Sequence, residues 1–316
     1  STVLIAILLG ILMGNAFTPR PGMMIGLDFT QQYILKLGII FLGVRLSFAD
    51  FIKFGSIAIP LIIICILGVL ILVKLLIKKV PISSKMSYLI AIGTSVCGAT
   101  AIVATAPVIN AKKSEIAYAI ANITLFGVIA MLVYPYFAEW YFDNETLNAG
   151  LFLGTSIHET SQVAAAGLIY DQQFNSAETL NVATVTKLIR NTFLVILIPL
   201  FAFLYNRGEL KVRNYSILNI FPYFVLGFIG MIIVRNLGDQ FFPHGDSYHE
   251  TWINIIAHLK ILATIFLTMA MAAVGISINL GELKSMGYKP FVVGLIAAIT
   301  VGIISLIYIE ILNKFI

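Results

Sequence analysis

A histidine and a glutamate stand side by side in an otherwise apolar stretch, GTSIHETSQVAAAG, which runs from Gly154 to Gly167. A second histidine four residues after the first would complete the helical zinc motif of metalloproteases. Position 162 holds Gln162 instead, and no other HExxH occurs in the chain. His158 and Glu159 suit proton coupling, because histidine titrates near neutral pH and loss of water favours a neutral carboxylic acid. The alternative is a salt-bridged pair that only stabilises the local fold.

Two cations follow in the segment TVTKLIRN. Lys187 and Arg190 lie three positions apart, so a helix places both on one face. A helix that starts near residue 178 would bring them close to the bilayer centre, where ionisable side chains are costly and usually functional. No carboxylate lies within four positions of either, which favours an anionic substrate or a distant partner such as Glu159. The alternatives are a structural ion pair or snorkelling to an interface.

A second polar stretch, GTSVCGA, runs from Gly93 to Ala99. It lies in the middle of the apolar segment 86–110, as the first stretch does in segment 146–170. Breaking a helix there exposes N–H groups at a new helix start, which favours an anion. The alternative is that small residues such as Cys97 only let helices pack closely. The predicted substrate-binding residues are Thr94, Ser95, Cys97, Gly98, Ser156, Gln162, Lys187 and Arg190, with His158 and Glu159 as the proton-coupling pair.

The elements that position these residues must be membrane helices. The 316-residue chain is 59% apolar and 11% charged, and its mean hydropathy is +0.98. Soluble domains carry about 25% charged residues, and the long apolar runs do not alternate as barrel strands do.

The net charge of +5 lies in loops, which argues against nucleic-acid binding, and the two cysteines form no CxxC pair. We predict spanning helices near residues 2–17, 31–46, 56–77, 114–138, 178–205, 219–237, 252–279 and 290–313.

Loop charges give the orientation of the two polar segments. Lysines flank segment 86–110 on both sides, whereas neither flank of segment 146–170 carries lysine or arginine. Basic loops face the cytoplasm, so the first segment has both ends inside and the second both ends outside. The simplest interpretation is two re-entrant hairpins that enter from opposite sides, with helix 114–138 between them. Two broken helices that cross the membrane are the alternative.

An internal repeat supports a transporter. GVRLSFADFIKFG, from Gly43 to Gly55, aligns without gaps with GISINLGELKSMG, from Gly275 to Gly287. The loop charges place the first copy outside and the second inside, as in inverted-repeat transporters. We predict an all-α polytopic membrane protein with one domain over 1–316 and inverted-repeat-like units 1–138 and 146–316. Because the chain begins directly in an apolar run, we also expect a further helix upstream.

These motifs together resemble the YeiH-type sulfate exporter family. The matching stretches begin at Ala6, Gly43, Gly93, Gly154, Lys187 and Gly275 and cover nearly the whole chain. The resemblance implies a bacterial inner-membrane protein related to the cation/proton antiporter and anion transporter superfamily, with an inverted repeat and discontinuous helices. That family often carries alanine where Thr160 and Ser161 stand, so the second polar stretch is more polar here.

The leading functional hypothesis is a secondary transporter, in the exporting direction, for a small anion such as sulfate or a sulfonate. The expected partners are the lipid bilayer, the anion and a coupling proton or Na+, with a homodimer left open. We expect no enzymatic activity, cofactor, metal or nucleic acid, and a location in the bacterial plasma membrane. A cation/proton antiporter and an anion channel are the nearest alternatives. An intramembrane zinc enzyme and a membrane receptor are more remote.

Overall fold

The structure is a computed structural model that describes residues 2–17, 20–76, 83–176, 178–205, 222–243, 248–278 and 288–314. Every regular element in these ranges is helical. The helices are α1 (Thr2–Ala16), α2 (Pro21–Phe29), α3 (Leu35–Leu42), α4 (Phe48–Leu76), α5 (Ser84–Ser95), α6 (Ala99–Thr105), α7 (Lys113–Phe142), α8 (Thr146–Ser156), α9 (Thr160–Phe174), α10 (Thr179–Thr192), α11 (Leu194–Tyr205), α12 (Phe224–Phe241), α13 (His249–Ser277) and α14 (Tyr288–Asn313).

The protein is an all-α polytopic membrane protein, as predicted. Within the described residues, seven helices are long and apolar enough to cross a membrane. Many large apolar side chains face outward, among them Leu12 at 67%, Ile25 at 74% and Ile71 at 59% exposure. A water-soluble protein rarely leaves so much apolar surface uncovered, so these faces contact lipid.

Two spanning helices begin earlier than predicted. A single helical run from Pro21 to Arg45 contains α2, a π-helical turn at Thr30–Ile34, α3 and a 3-10 turn. Helix α4 begins at Phe48 rather than near residue 56, because Ser47 caps it. The Asp50 amide donates to Ser47 Oγ at 3.0 Å, and Ser47 Oγ donates to the Asp50 carboxylate at 2.6 Å. This reciprocal cap lets a polar first turn extend the apolar helix.

Helices α5 and α6 form a hairpin, which we call the first hairpin. Lys85 at its start donates to the Asn110 carbonyl oxygen beyond its end, at 2.7 Å. Ser83 also donates to Glu115 in the first turn of α7. Both ends of the segment therefore lie together, which excludes a crossing broken helix here.

Helices α8 and α9 form the second hairpin in the same way. Thr179 Oγ1 donates to the Thr146 carbonyl oxygen at 3.3 Å, and Thr146 Oγ1 donates to Glu178 at 3.4 Å. The 30-residue helix α7 joins the two hairpins and is about 45 Å long at 1.5 Å per residue. The hairpins therefore enter from opposite ends of the molecule. We call the end with Lys85 the basic end and the end with Glu178 the acidic end.

The helices are arranged in two groups. The panel consists of α1, α2, α3, α12 and α13, and the core bundle consists of α4 to α11 and α14. Glycines bring panel backbones into contact: a Cβ on Gly10 would lie 2.5 Å from the Ala272 carbonyl oxygen, and one on Gly43 would lie 2.3 Å from that of Phe228. Close backbone packing of this kind is the usual way that small residues join membrane helices.

The two repeat copies lie at comparable places in this arrangement. The first copy contains the turn Gly43–Arg45, which leads from panel helix α3 to core helix α4. The second begins at Gly275 near the end of panel helix α13, and core helix α14 follows it along the chain. Residues 279–287 of the second copy lie outside the described residues. The inverted relation of the two halves stays a prediction.

Candidate functional site

The tips of the two hairpins meet inside the core bundle. Helix α5 ends at Ser95 and α6 begins at Ala99, so residues 96–98 form the first tip. Gly98 in this tip has φ +66° and ψ −129°, a conformation that favours glycine. A Cβ on Gly98 would lie 2.5 Å from Glu159 Cγ. The glycine thus permits both the turn and the close approach of Glu159.

Residues 157–159 form the second tip, between the end of α8 at Ser156 and the start of α9 at Thr160. Glu159 caps α9, and its own amide donates to Gln162 Oε1 at 3.3 Å. Its Oε1 also accepts from the Ala99 amide, the first residue of α6, at 3.2 Å. One carboxylate therefore interacts with the starts of both half-helices, where the helix dipole favours negative charge.

Lys187 and Arg190 on α10 bind the backbone on the other side of the tips. Lys187 Nζ donates to the carbonyl oxygens of Val96 at 2.8 Å and Ile157 at 2.9 Å, and also to that of His158. The three donors of the ammonium group are thereby used. The side chain is 0% exposed, so backbone carbonyl oxygens take the place of water around the ammonium group.

Arg190 extends the same pattern toward the ends of α5 and α8. Its Nε donates to the Ser95 carbonyl oxygen at 2.7 Å, and its Nη2 donates to that of Thr94. Its Nη1 donates to the carbonyl oxygens of Thr155 and, at 3.5 Å, Ile157. The oxygens of Thr94, Ser95 and Thr155 belong to the last turns of two half-helices, the negative ends of the helix dipoles. Arg190 therefore stabilises the crossing of both hairpins.

The two cations do not line the cavity that the tips border. A cavity of about 490 Å³ lies between the panel and the core bundle. Lys187 and Arg190 are absent from its wall, which differs from the prediction that they hold the substrate anion. Their three-residue spacing correctly predicted that Lys187 and Arg190 share one helix face. That face of α10 contacts the backbone carbonyl oxygens at the hairpin tips and not the cavity. Direct contact of either side chain with an anion stays a prediction that this arrangement does not support.

The cavity wall carries two charged side chains among the described residues, Lys36 from the panel and Glu159 from the core bundle. Hydroxyl groups of the first turns of α6 and α9 also line it. Gln31 of the π-helical turn is held by α13, because its Nε2 donates to Ser277 Oγ at 2.7 Å and to the Ala273 carbonyl oxygen at 3.2 Å. The polar side chains in the wall are Gln31, Gln32, Lys36, Cys97, Thr100, Thr124, Glu159, Thr160, Ser161 and Ser277.

The cavity lies on the basic-end side of the tips. The Thr2 amide donates to Gln172 at 3.0 Å, which puts the start of α1 at the acidic end beside the second hairpin. Asn15 near the other end of α1 donates to the Ile278 carbonyl oxygen at 2.8 Å, so Ile278 lies at the basic end. Ile278 lines the cavity. The cavity therefore lies between the tips and the basic end.

A family model described as Conserved hypothetical protein 698 matches residues 1–294. The chain belongs to this family. Similar proteins include UPF0324 membrane protein FN0533 of Fusobacterium nucleatum, 35% identical over 310 residues, which cover 96% of this chain and 88% of that protein. UPF0324 membrane protein SAG1125 of Streptococcus agalactiae is 34% identical over 303 residues, or 95% and 86% of the two chains. No solved structure matches the chain.

Membership of the Conserved hypothetical protein 698 family agrees with the fold. The relatives are bacterial and are named as membrane proteins, and the chain is accordingly a multi-pass bacterial membrane protein. Their names state no substrate. The resemblance to sulfate exporters is therefore confirmed only at the level of a membrane-protein family, and its transport chemistry stays a proposal.

Of the ten site residues predicted for this family member, Cys97 and Glu159 line the cavity. Gln162 is buried against α7, where its Nε2 donates to the Thr124 carbonyl oxygen at 3.5 Å. His158 is buried outside the cavity wall, and its Nδ1 has no hydrogen-bond partner in the described part of the chain. Of the predicted proton-coupling pair, Glu159 therefore lines the cavity and His158 does not. The other buried residues that do not line the cavity are Thr94, Ser95, Ser156, Lys187 and Arg190, while Gly98 shapes the first tip.

Several cavity residues were not in the predicted site. Thr100, Thr160 and Ser161 lie in the first turns of the helices that follow the two breaks. Hydroxyl residues are common at helix starts, so the breaks in the sequence could have indicated these cavity residues. Lys36 is a charge in an apolar helix, but the sequence alone does not distinguish a cavity lysine from an interfacial one. Within the described residues, no group of three or more His, Cys, Asp or Glu side chains could hold a metal.

Proposed function

We propose that this chain is a secondary carrier that moves a small anion across the bacterial membrane and couples its movement to a proton on Glu159. The observation that supports this most is the cavity between the panel and the core bundle. It combines the start of α9, the cation Lys36 and a carboxylate that can take a proton. Transporters bind substrate at such a junction of discontinuous helices, with half-helix N-termini directed at anionic groups.

Charge balance explains why a proton would be coupled. Glu159 is the acidic side chain among the described residues of the wall, so an anion that bound beside it would meet an ionised carboxylate. Two like charges 4 Å apart repel by about 4 kcal/mol at an effective dielectric constant of 20. Protonation of Glu159 removes this repulsion and leaves Lys36 and the N–H groups to hold the anion. Anion binding therefore favours proton uptake, and the reverse holds by linkage.

The remaining features support a carrier rather than an open pore. The cavity lies on the basic-end side of the tips. Lys187 and Arg190 join both tips, which suits movement of the two tips as one unit. Displacement of the core bundle against the panel would expose the same residues to the acidic end. A volume of about 490 Å³ admits an organic sulfonate as well as a hydrated sulfate ion. The outward direction rests on the resemblance stated above.

The test is flux in proteoliposomes with sulfate and a small sulfonate, at controlled internal and external pH. We expect saturable flux with counterflow that an imposed proton gradient accelerates. Glu159→Gln should abolish the pH response and Lys36→Gln should lower the apparent affinity. Lys260→Gln is the matched control, because Lys260 is an exposed lysine of panel helix α13 outside the cavity wall. Unchanged flux in both cavity variants would refute the proposal.

The nearest alternative is a cation/proton antiporter, which Glu159 favours as an acidic residue in the cavity wall. That function predicts proton-driven Na+ or K+ flux with no response to the anions. A channel predicts steady current without counterflow, and a receptor predicts ligand binding without flux. The proposed carrier has no enzymatic activity, so stoichiometric zinc in the purified protein would favour the remote alternative of an intramembrane enzyme.

A further inference from the structure

The contacts of Lys187 describe a site for a small cation rather than an ordinary ion pair. Its ammonium nitrogen is surrounded by the carbonyl oxygens of Val96, Ile157 and His158. One oxygen comes from the first tip and two come from the second, and all three belong to non-helical backbone. No carboxylate hydrogen bonds to the ammonium group among the described residues.

Unwound carbonyl oxygens at discontinuous helices are the groups with which transporters coordinate Na+. An ammonium group is a compact point charge with three donors, so it can satisfy the same oxygens as a monovalent ion. The ends of α5 and α8 add negative dipole charge to this place. The three carbonyl oxygens and the helix-end dipoles thus suit a monovalent cation, and here that cation is the ammonium group carried by α10.

We propose that Lys187 is a tethered cation that fills a monovalent-cation site at the crossing of the two hairpins. A free Na+ ion is therefore excluded from this place in the wild-type protein. The consequence for coupling rests on the carrier function proposed above: Na+ is not a coupling ion at the crossing, and the proton on Glu159 remains as the coupling species.

Two neighbouring charges bear on the site. Arg190 lies on the same helix face and repels a cation, whereas Glu159 follows His158 directly and attracts one. The wild-type protein already holds one positive charge here beside Arg190. A Na+ ion that replaced the ammonium group would restore the same charge balance. Truncation of the lysine side chain also leaves space for the ion and a bridging water molecule.

The experiment measures the Tm of purified protein in NaCl, KCl and choline chloride at equal ionic strength. Lys187→Ala should be less stable than wild type in choline and should gain about 3 °C or more in one of the alkali salts, because ligand binding to the folded state raises Tm. Lys187→Met is the matched control, since it fills the space without a charge. Lys187→Met and wild type should shift by less than about 1 °C in the same salts.

Lys187→Ser is a second variant, whose hydroxyl group could add an oxygen ligand. If Lys187→Ala and Lys187→Ser both respond to the salts as wild type does, or stay unfolded in all of them, the proposal is overturned. It is also overturned if wild type itself gains about 3 °C or more in NaCl relative to choline chloride. None of these measurements uses flux, so a failed transport assay would refute the carrier function and leave this result standing.

Discussion

Gly98→Ala is the substitution whose effect can be followed furthest from the geometry. The backbone at Gly98 has φ +66° and ψ −129°, where a side chain costs about 1–3 kcal/mol. The added Cβ would lie 2.5 Å from Glu159 Cγ, so the glutamate side chain must move. Its hydrogen bond from the Ala99 amide, 3.2 Å long, is lost by that movement.

With Glu159 ionised, this charge-assisted hydrogen bond is worth about 1.5–3 kcal/mol, and with Glu159 protonated it is worth about 0.5–1.5 kcal/mol. Because Glu159 is protonated in the proposed substrate-bound state, the apparent substrate affinity should fall about 2- to 13-fold if the contact is required there. The backbone strain adds to this, so we expect the Tm of Gly98→Ala to fall by at least about 3 °C. Both tips are affected, because the Ala99 amide and Glu159 belong to different hairpins.

The assay combines proton-coupled anion flux in proteoliposomes with Tm in detergent. Gly230→Ala is the matched control, because a Cβ on Gly230 in α12 would meet no atom within 4 Å. That variant should keep its flux and should be equally or slightly more stable, since alanine favours a helix by about 1 kcal/mol over glycine. If Gly98→Ala keeps wild-type flux and Tm, the assignment of Gly98 and Glu159 as a functional contact is wrong.

Three further predictions concern one residue of the first tip, Cys97, and two residues that contact the tips, Arg190 and Gln162. Cys97 lines the cavity at 8% exposure, whereas Cys65 is 0% exposed and lies outside the cavity wall, so a small thiol reagent should modify Cys97 faster than Cys65, and substrate should slow that reaction. Mass spectrometry identifies the site, and the rate at Cys97 should be unchanged in Cys65→Ala. Arg190→Met should lower Tm by at least about 6 °C, because several buried carbonyl oxygens lose their donor at about 1–3 kcal/mol each; a Tm close to wild type would contradict this role. Gln162→Leu removes the acceptor of the Glu159 amide, so the apparent substrate affinity should fall about tenfold in the flux assay.

The two helix breaks were predictable from the sequence, since glycines and hydroxyl residues interrupt segments that are otherwise apolar. The loop charges favoured two hairpins over crossing helices, and the structure confirms the hairpins, but the charges alone did not exclude the alternative. The decisive contact, from Lys85 to the Asn110 carbonyl oxygen, joins residues that only the folded chain brings together.

The directions of the buried side chains were also beyond the sequence. The spacing of Lys187 and Arg190 places them on one helix face, but it does not say what covers that face. The cavity has a second wall from the panel, and Lys36 in that wall resembles any other membrane lysine until the panel is positioned. The position of Glu159 was predictable from two local features, because it lies in a helix break and directly precedes a helix start.

The position of α10 in the chain has a consequence for biogenesis. A lysine or arginine at the centre of an inserting helix costs about 2.5–3.5 kcal/mol each. Lys187 and Arg190 avoid this cost only when carbonyl oxygens of both tips are present, and both hairpins precede α10 in the order of synthesis. The carbonyl oxygens that accept hydrogen bonds from Lys187 and Arg190 are therefore synthesised before these two residues. A chain released before α10 would leave both hairpins without the side chains that join them, so we expect such a fragment to be less stable than a chain that contains α10.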